Sequence, residues 1–222
     1  MNKLGIYQPW SAPVVHASLP DIILKDLLQL TDLISKDINH ESSGNTLAGE
    51  IEDEWVIDPI LLTNISFENY IIQLCKKYRE IIESQYPPPE VCGRSRSLST
   101  IRHMTENLEI TSSWFNNQKD NEYNPLHNHS GYFSGVLYLK IPKYIPPKKE
   151  NNNCLTGSIA FISNTDMTEG GMTHSYLTIS PKVGDIFLFP STLKHLVYPF
   201  QSIDGKGLRR SMSFNLSAKD AP

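Results

Sequence analysis

Three histidines give the first clue to chemistry. His127 and His129 stand in the run Pro125-Leu126-His127-Asn128-His129. In an extended segment, residues two apart share a face, so both imidazoles can converge on one ion. His195 follows the run Gly184-Asp185-Ile186-Phe187-Leu188-Phe189-Pro190, in which an apolar strand stops at Pro190 and a short turn delivers the imidazole. Two ligands on one strand and a third from a distant strand would make a metal site inside a β-barrel. An H-x-H pair also arises by chance in solvated loops, so the pair alone leaves both readings open. His16, His40, His103 and His174 read as surface or structural, with His174 held as a reserve ligand because it precedes a strand candidate.

The last apolar-polar alternation adds an anion site. In Arg209-Arg210-Ser211-Met212-Ser213-Phe214-Asn215-Leu216, Met212, Phe214 and Leu216 face one way, while Arg209, Ser211, Ser213 and Asn215 face the other. With the apolar face packed on helices, Arg209 points into the barrel. A buried guanidinium without a counter-charge costs several kcal/mol, by the order of magnitude known for unpaired buried ions. Its planar fork matches a carboxylate at two points. This face therefore expects an acidic ligand. A one-residue slip in register would instead turn Arg210 inward. Ser134, Val136 and Tyr138 share one face of another strand candidate, where the Tyr138 phenol could donate to the same anion or simply pack in the core.

These side chains need elements to hold them. Ser18 could cap a helix with Pro20 in its first turn, carrying Leu19, Ile22, Ile23, Leu27, Leu30 and Ile34 at helical spacing. Ser66 could cap a second, with Phe67, Tyr70, Ile71, Leu74, Tyr78 and Ile81 on one face, stopped by Pro87, Pro88 and Pro89. Residues 40–60 between them are polar and resist assignment. From about Glu109 the pattern is β, with strands expected over 108–116, 133–141, 157–163, 175–179, 185–189 and 208–217 and turns at Gly184-Asp185 and Asp204-Gly205. The run from Pro146 to Asn153 reads as an exposed loop. The expectation is one domain over 1–222: mainly β, a sandwich or jelly roll at about 105–218, with the N-terminal α-helices of about 1–100 packed on its outside.

Composition narrows the class. The 222 residues are 39% hydrophobic and 20% charged, ordinary globular material. A net charge of −4 argues against a general nucleic-acid binder. No apolar run approaches the roughly 18 residues of a membrane span, and no basic-then-apolar leader opens the chain, so a cytoplasmic location is expected, in the host if phage-encoded. Cys75, Cys92 and Cys154 are odd in number and far apart, which supports neither a disulfide framework nor a cysteine zinc site.

Four blocks occur in one order: Asn124-Pro125-Leu126-His127-Asn128-His129, Ser134-Gly135-Val136-Leu137-Tyr138-Leu139, Gly184 to Pro190 with His195, and Arg209-x-Ser211-x-Ser213-Phe214-Asn215. Over roughly 105–218 the chain resembles the Fe(II)/2-oxoglutarate-dependent oxygenases of bacteria and phages, relatives of prolyl hydroxylases. The resemblance implies a double-stranded β-helix with Fe(II) inside one end, 2-oxoglutarate as cosubstrate and O2 as oxidant. It makes His127 the first metal ligand and His195 the distal one. It gives Arg209 and Ser211 the distal carboxylate of 2-oxoglutarate, helped by Tyr138, and puts Trp114 and Asn116, with Ser134, in the substrate pocket, where packing is their other reading.

One departure stands out. His129 occupies the place of the carboxylate in the usual two-histidine, one-carboxylate set. Three neutral imidazoles leave one more positive charge on the centre; Asp120 or Glu122 would have to supply a carboxylate from elsewhere. The implied reaction hydroxylates a C–H bond and releases succinate and CO2. Two rivals remain at this level: a three-histidine Zn or cupin-type hydratase or isomerase, and a jelly roll that binds without catalysis. Loops 117–126 and 143–156, with Gly170-Gly171, are the expected rim. The substrate is left as a small molecule or a peptide, and a homodimer through the helical face is one option.

Overall fold

A computed structural model describes residues 5–7, 13–37, 49–85, 107–146, 155–162 and 176–219. The expectations placed on Pro87–Pro89, on 147–153, on Gly170-Gly171 and on His40, His103 and His174 lie outside these residues. Along the chain come β1 (Gly5–Tyr7), β2 (Val14–Ser18), α1 (Asp21–Ile34), β3 (Glu54–Val56), α2 (Pro59–Asn64) and α3 (Phe67–Gln85). Then follow β4 (Leu108–Gln118), β5 (Asn124–His127), β6 (Phe133–Lys140), β7 (Ile159–Ile162), β8 (Tyr176–Ile179), β9 (Asp185–Pro190), β10 (Lys194–Val197) and β11 (Arg209–Ala218).

The strands make two antiparallel sheets. The larger runs β1-β2-β9-β6-β11-β4-β3 and the smaller β5-β10-β7-β8. Side-chain alternation decides what each face meets. Ile186 and Leu188 of β9, Leu137 of β6, and Met212, Phe214 and Leu216 of β11 pack with Ile23 and Leu27 of α1 and Phe67, Ile71 and Leu74 of α3. The opposite face sends Val136, Tyr138, Phe187 and Phe189 against Ile159, Phe161 and Val197 of the smaller sheet. A sheet covered on both faces needs strands that are apolar throughout, as Ile186 to Phe189 are. Gly135 is required because a Cβ there would run into the Phe214 ring.

The jelly-roll reading holds, and its helices do pack on the outer face of the sheet. The N-terminal part is less purely helical than expected, because β2 pairs with β9 and β3 with β4, so it also supplies strands. Ser18 is not a helix cap: it is the last residue of β2, paired with Asp185, and Pro20 precedes α1 with no side-chain cap. Ile22, placed on the apolar face by spacing, is 70% exposed, and Thr31 takes a buried place instead. Within the unassigned 40–60 stretch lie β3 and the start of α2, which is capped by Asp58 accepting from the Ile60 amide at 3.0 Å, with Pro59 in the first turn. β1, β2, β3 and β10 are too short for alternation to announce.

The two arginines of β11 part company across the sheet. Arg210 turns to the helical side, where its guanidinium donates to Asp32 Oδ1 at 2.5 Å, to Asn117 Oδ1 at 2.6 Å and to Thr31 Oγ1 at 3.1 Å. Lys140 reaches the same Asp32 oxygen at 2.7 Å. The Lys140 hydrogen bond, then Arg210, hold the Asp32 carboxyl below its ordinary range, against the opposing effect of desolvation. Asp32→Ala is expected to cost about 1–3 kcal/mol in denaturant unfolding, discounted because Asp32 is half-exposed. A carboxyl held low in the folded state stabilises above its unfolded pKa and stops doing so as pH falls through the lowered value. The gap between wild type and variant should therefore be full at pH 7 and shrink in acid.

Candidate metal and dicarboxylate site

His127 and His195 are brought together by strand pairing. They are direct cross-strand partners on β5 and β10, with ring centroids 4.3 Å apart. His129 arrives differently from the expected shared strand face. It lies just beyond β5, anchored by its amide donating to the Ser191 carbonyl at 2.9 Å. Its ring sits 4.9 Å from His127 and 5.0 Å from His195, with Trp114 at 5.5 Å. Ring nitrogens of the three lie within 4.8 Å of one another, close enough to share one ion.

The ring orientations are set from behind. His127 Nδ1 lies 2.7 Å from the Pro125 carbonyl and His195 Nδ1 2.9 Å from the Leu193 carbonyl. A carbonyl only accepts, so Nδ1 carries the proton and Nε2 keeps its lone pair for a metal. Phe189 stacks edge-on to His195 at 4.8 Å and helps exclude water. Burial, joined by His127, lowers the pKa of His129 to about 4 and that of His195 to about 3; burial lowers His127 as well. All three are neutral at physiological pH, the form that binds metal.

No carboxylate joins this cluster among the described residues. Asp120 accepts the Ser202 amide at 3.0 Å, and Glu122 accepts the amides of Lys119 at 2.6 Å and Glu52 at 3.3 Å. Both carboxylates hold loops, so neither is the missing ligand. His16 lies apart, 2.9 Å from Asp185.

Beside the histidines is a cavity of about 180 Å³, walled by Trp114, Asn116, Val136, Tyr138, Ser211 and Ser213 together with Glu54 and Asn124. Trp114, Asn116, Tyr138 and Ser211 line it. Ser134 does not: it lies outside the wall, its hydroxyl donating to Asn215 Oδ1 at 2.7 Å. Arg209 points to the inner side and is 1% exposed, resting 5.9 Å from the Tyr138 ring centre and 5.5 Å from that of Phe200. It donates to the Gly157 carbonyl at 2.5 Å and to Gln118 Oε1.

Among the buried donors that lack partners at this end are Arg209 Nε and the Tyr138 hydroxyl. A buried donor left unpaired costs about 1–3 kcal/mol, so the pair is suited to a ligand that accepts from both. Burial raises the Tyr138 pKa, partly offset by Arg209, and keeps its proton in place to donate. An anionic oxygen answers both groups. No residue pattern singles out Tyr144, whose phenol lies where a Cβ on Gly157 would sit and whose raised pKa reflects burial offset by Arg209. Gln118 and Glu54 were missed too, because the strand ends that carry them show no pattern of their own.

Comparison with known proteins bears on this geometry. Residues 112–215 match the family model described as "Putative 2OG-Fe(II) oxygenase". The crystal structure of a Pseudomonas putida prolyl-4-hydroxylase is similar over 93% of this chain and 92% of that one, at 12% identity and a TM-score of 0.52. AviO1 from Streptomyces viridochromogenes is similar over 94% and 91%, at 12% identity and a TM-score of 0.51. No curated protein matches the sequence. The structural likeness defines the class as a double-stranded β-helix. Residues 112–215, a little under half of the chain, are thus similar to the 2OG-Fe(II) oxygenase family. Fe(II) and 2-oxoglutarate are that family's metal and cosubstrate, and the site suits both: three neutral imidazoles for the ion, and two orphaned buried donors for a carboxylate.

Gly157 has φ +63°, and a Cβ there would press on the Tyr144 phenol at 2.6 Å. Gly157→Ala should therefore shift Tyr144 and the carbonyl that holds Arg209. Its backbone strain costs about 1–2 kcal/mol. We expect dicarboxylate binding, measured by calorimetry with 2-oxoglutarate, to weaken at least tenfold while bound-metal content by elemental analysis stays unchanged.

Proposed function

We propose that this protein is an Fe(II)- and 2-oxoglutarate-dependent dioxygenase that hydroxylates a C–H bond of a small molecule or peptide. The observation that carries the reading is a trio of neutral imidazoles and the Tyr138 phenol on one cavity, with the buried Arg209 guanidinium 5.9 Å from the Tyr138 ring centre. A three-histidine zinc hydratase would have no use for that cradle.

In this reading His127, His129 and His195 hold Fe(II). Arg209 and Tyr138 receive the distal carboxylate of 2-oxoglutarate, with the Ser211 hydroxyl beside them. When bound, iron, cosubstrate and O2 supply the oxidising chemistry, with succinate and CO2 released. The chain's own contribution is placement. Arg209, fixed between two aromatic rings, sets the depth at which the cosubstrate sits. The Nδ1–H bonds to Pro125 and Leu193 keep two ligand rings from turning. Phe161 and Phe189 shield His195, while Trp114 and Val136 give the substrate a partly apolar wall. No side chain is required as a general acid or base.

The test is an anaerobic titration of 2-oxoglutarate into Fe(II)-loaded protein, watching for a metal-to-ligand charge-transfer band. The band should appear in wild type and vanish in His127→Ala. In Arg209→Ala it should need at least tenfold more 2-oxoglutarate, and in Tyr138→Phe roughly three- to tenfold more, as for one lost hydrogen bond. Tightly bound metal without a band would sink the proposal.

A further inference from the structure

Arg209 is a buried cation whose described partners are all neutral. It is 1% exposed, and its terminal nitrogens donate to the Gly157 carbonyl at 2.5 Å and to Gln118 Oε1. Arg210, next to it on β11, is instead paired with the Asp32 carboxylate at 2.5 Å. Among the described residues no carboxylate forms an ion pair with Arg209.

Gln118 is the cross-strand partner of Arg209, on β4, and is itself 1% exposed. Its amide is oriented from both sides: Nε2 donates to the Glu122 carbonyl while Oε1 accepts from the guanidinium. A carbonyl only accepts and a guanidinium only donates, so the amide fits this place in one orientation. The turn behind it is braced. Glu122 accepts the amides of Lys119 at 2.6 Å and Glu52 at 3.3 Å, and the Asn121 amide donates to the Phe200 carbonyl at 2.9 Å. Phe200 in turn rests beside Arg209, its ring centre 5.5 Å from the guanidinium carbon.

The neutrality of this guide decides what Arg209 can do. A glutamate in its place would still offer Arg209 an oxygen, but it would cancel the guanidinium charge in dry surroundings, where such pairing is strong. An amide directs the fork and leaves the positive charge for a ligand to answer. Arg209 Nε and the Tyr138 hydroxyl, both buried without partners, remain available to that ligand.

We propose that Gln118 is a positioning residue for the cosubstrate: its neutral amide orients Arg209 and keeps the guanidinium charge free to select a 2-oxoacid that carries a distal carboxylate. The assignment rests on the oxygenase reading above and deepens it. Gln118 acts through Arg209 and does not line the cavity.

Two variants separate this role from simple support. Gln118→Glu keeps the size and the acceptor but cancels the charge; Gln118→Met keeps the size, lacks the acceptor and spares the charge. Support alone predicts that the Glu variant binds better than the Met variant, and charge selection predicts the reverse. The test follows the charge-transfer band of Fe(II)-loaded protein without oxygen, titrated with 2-oxoglutarate and with 2-oxovalerate, which has the same keto-acid head and no distal carboxylate. Wild type should bind 2-oxoglutarate about thirtyfold more tightly or better. Gln118→Met should weaken 2-oxoglutarate about three- to tenfold, as for one neutral hydrogen bond. Gln118→Glu should weaken it about thirtyfold or more, bringing the two acids within about threefold of each other. 2-Oxovalerate should bind all three proteins within about twofold, since it makes no call on Arg209. If Gln118→Glu does not fold, the selective loss in Gln118→Met carries the test. Equal weakening of both acids, unchanged binding in both variants, or a Glu variant that binds 2-oxoglutarate better than the Met variant would overturn the assignment. A wild-type band with no preference between the acids defeats it as well. No band in wild type with either acid defeats the oxygenase reading and the assignment together.

Discussion

Strand β11 lies between β4 and β6 at the centre of the larger sheet, and the pleat of this one strand divides the molecule into its structural and chemical halves. Met212, Phe214 and Leu216 hold the helices on one side. Ser211 and Ser213 line the cavity on the other. The adjacent arginines make the constraint sharp, since each is buried and each has partners on its own side only. Arg210 is tied to α1 through Asp32 and Thr31, and Arg209 to Gly157 and Gln118 within the barrel. A slip of one residue would take each guanidinium from its own partners and turn Met212 into the cavity. Two buried charges of fixed sidedness thus oppose register error more strongly than apolar packing alone.

The cavity draws its character from that register. One part of its wall carries the unpartnered Tyr138 hydroxyl, with Arg209 close to that ring, and another carries Glu54 and Asn116. The imidazoles stand between hydrogen bonds that orient them and aromatic rings that dry them. In the proposed reading, with His129 where a carboxylate is common, the protein would bring no charge to a metal dication, and a bound carboxylate would be the first to offset it. The low pKa values of His129 and His195 have the same origin as the raised one of Glu54: each charged form is penalised by the same dry surroundings.

Side-chain periodicity foretold much of this. Long strands such as β4, β6, β9 and β11 announce themselves because each carries enough residues for alternation to be seen, and α1 and α3 do so by helical spacing. The short strands were hidden. Three residues of β3 carry no pattern, yet β3 brings Glu54 to the cavity, and no strand is expected from the sequence over the four residues of β10, which carry His195. Ser18 looked like a helix cap because local chemistry allows it, but pairing with β9 took its backbone first.

The sequence by itself determined which side chains could do chemistry and a β architecture with helices on one face, and it narrowed the inward arginine to Arg209 or Arg210. Those are local properties, readable from residue type and period. The tertiary structure alone decided that His129 approaches from beyond its strand, that Ser134 is taken up by Asn215, and that Tyr144, Gln118 and Glu54 join the site. Each of those outcomes depends on contacts between residues far apart in the chain: 81 positions for Ser134 and Asn215, and 91 for Arg209 and Gln118. Periodicity tells which face a residue takes; only the packing of sheets and loops tells what waits on that face.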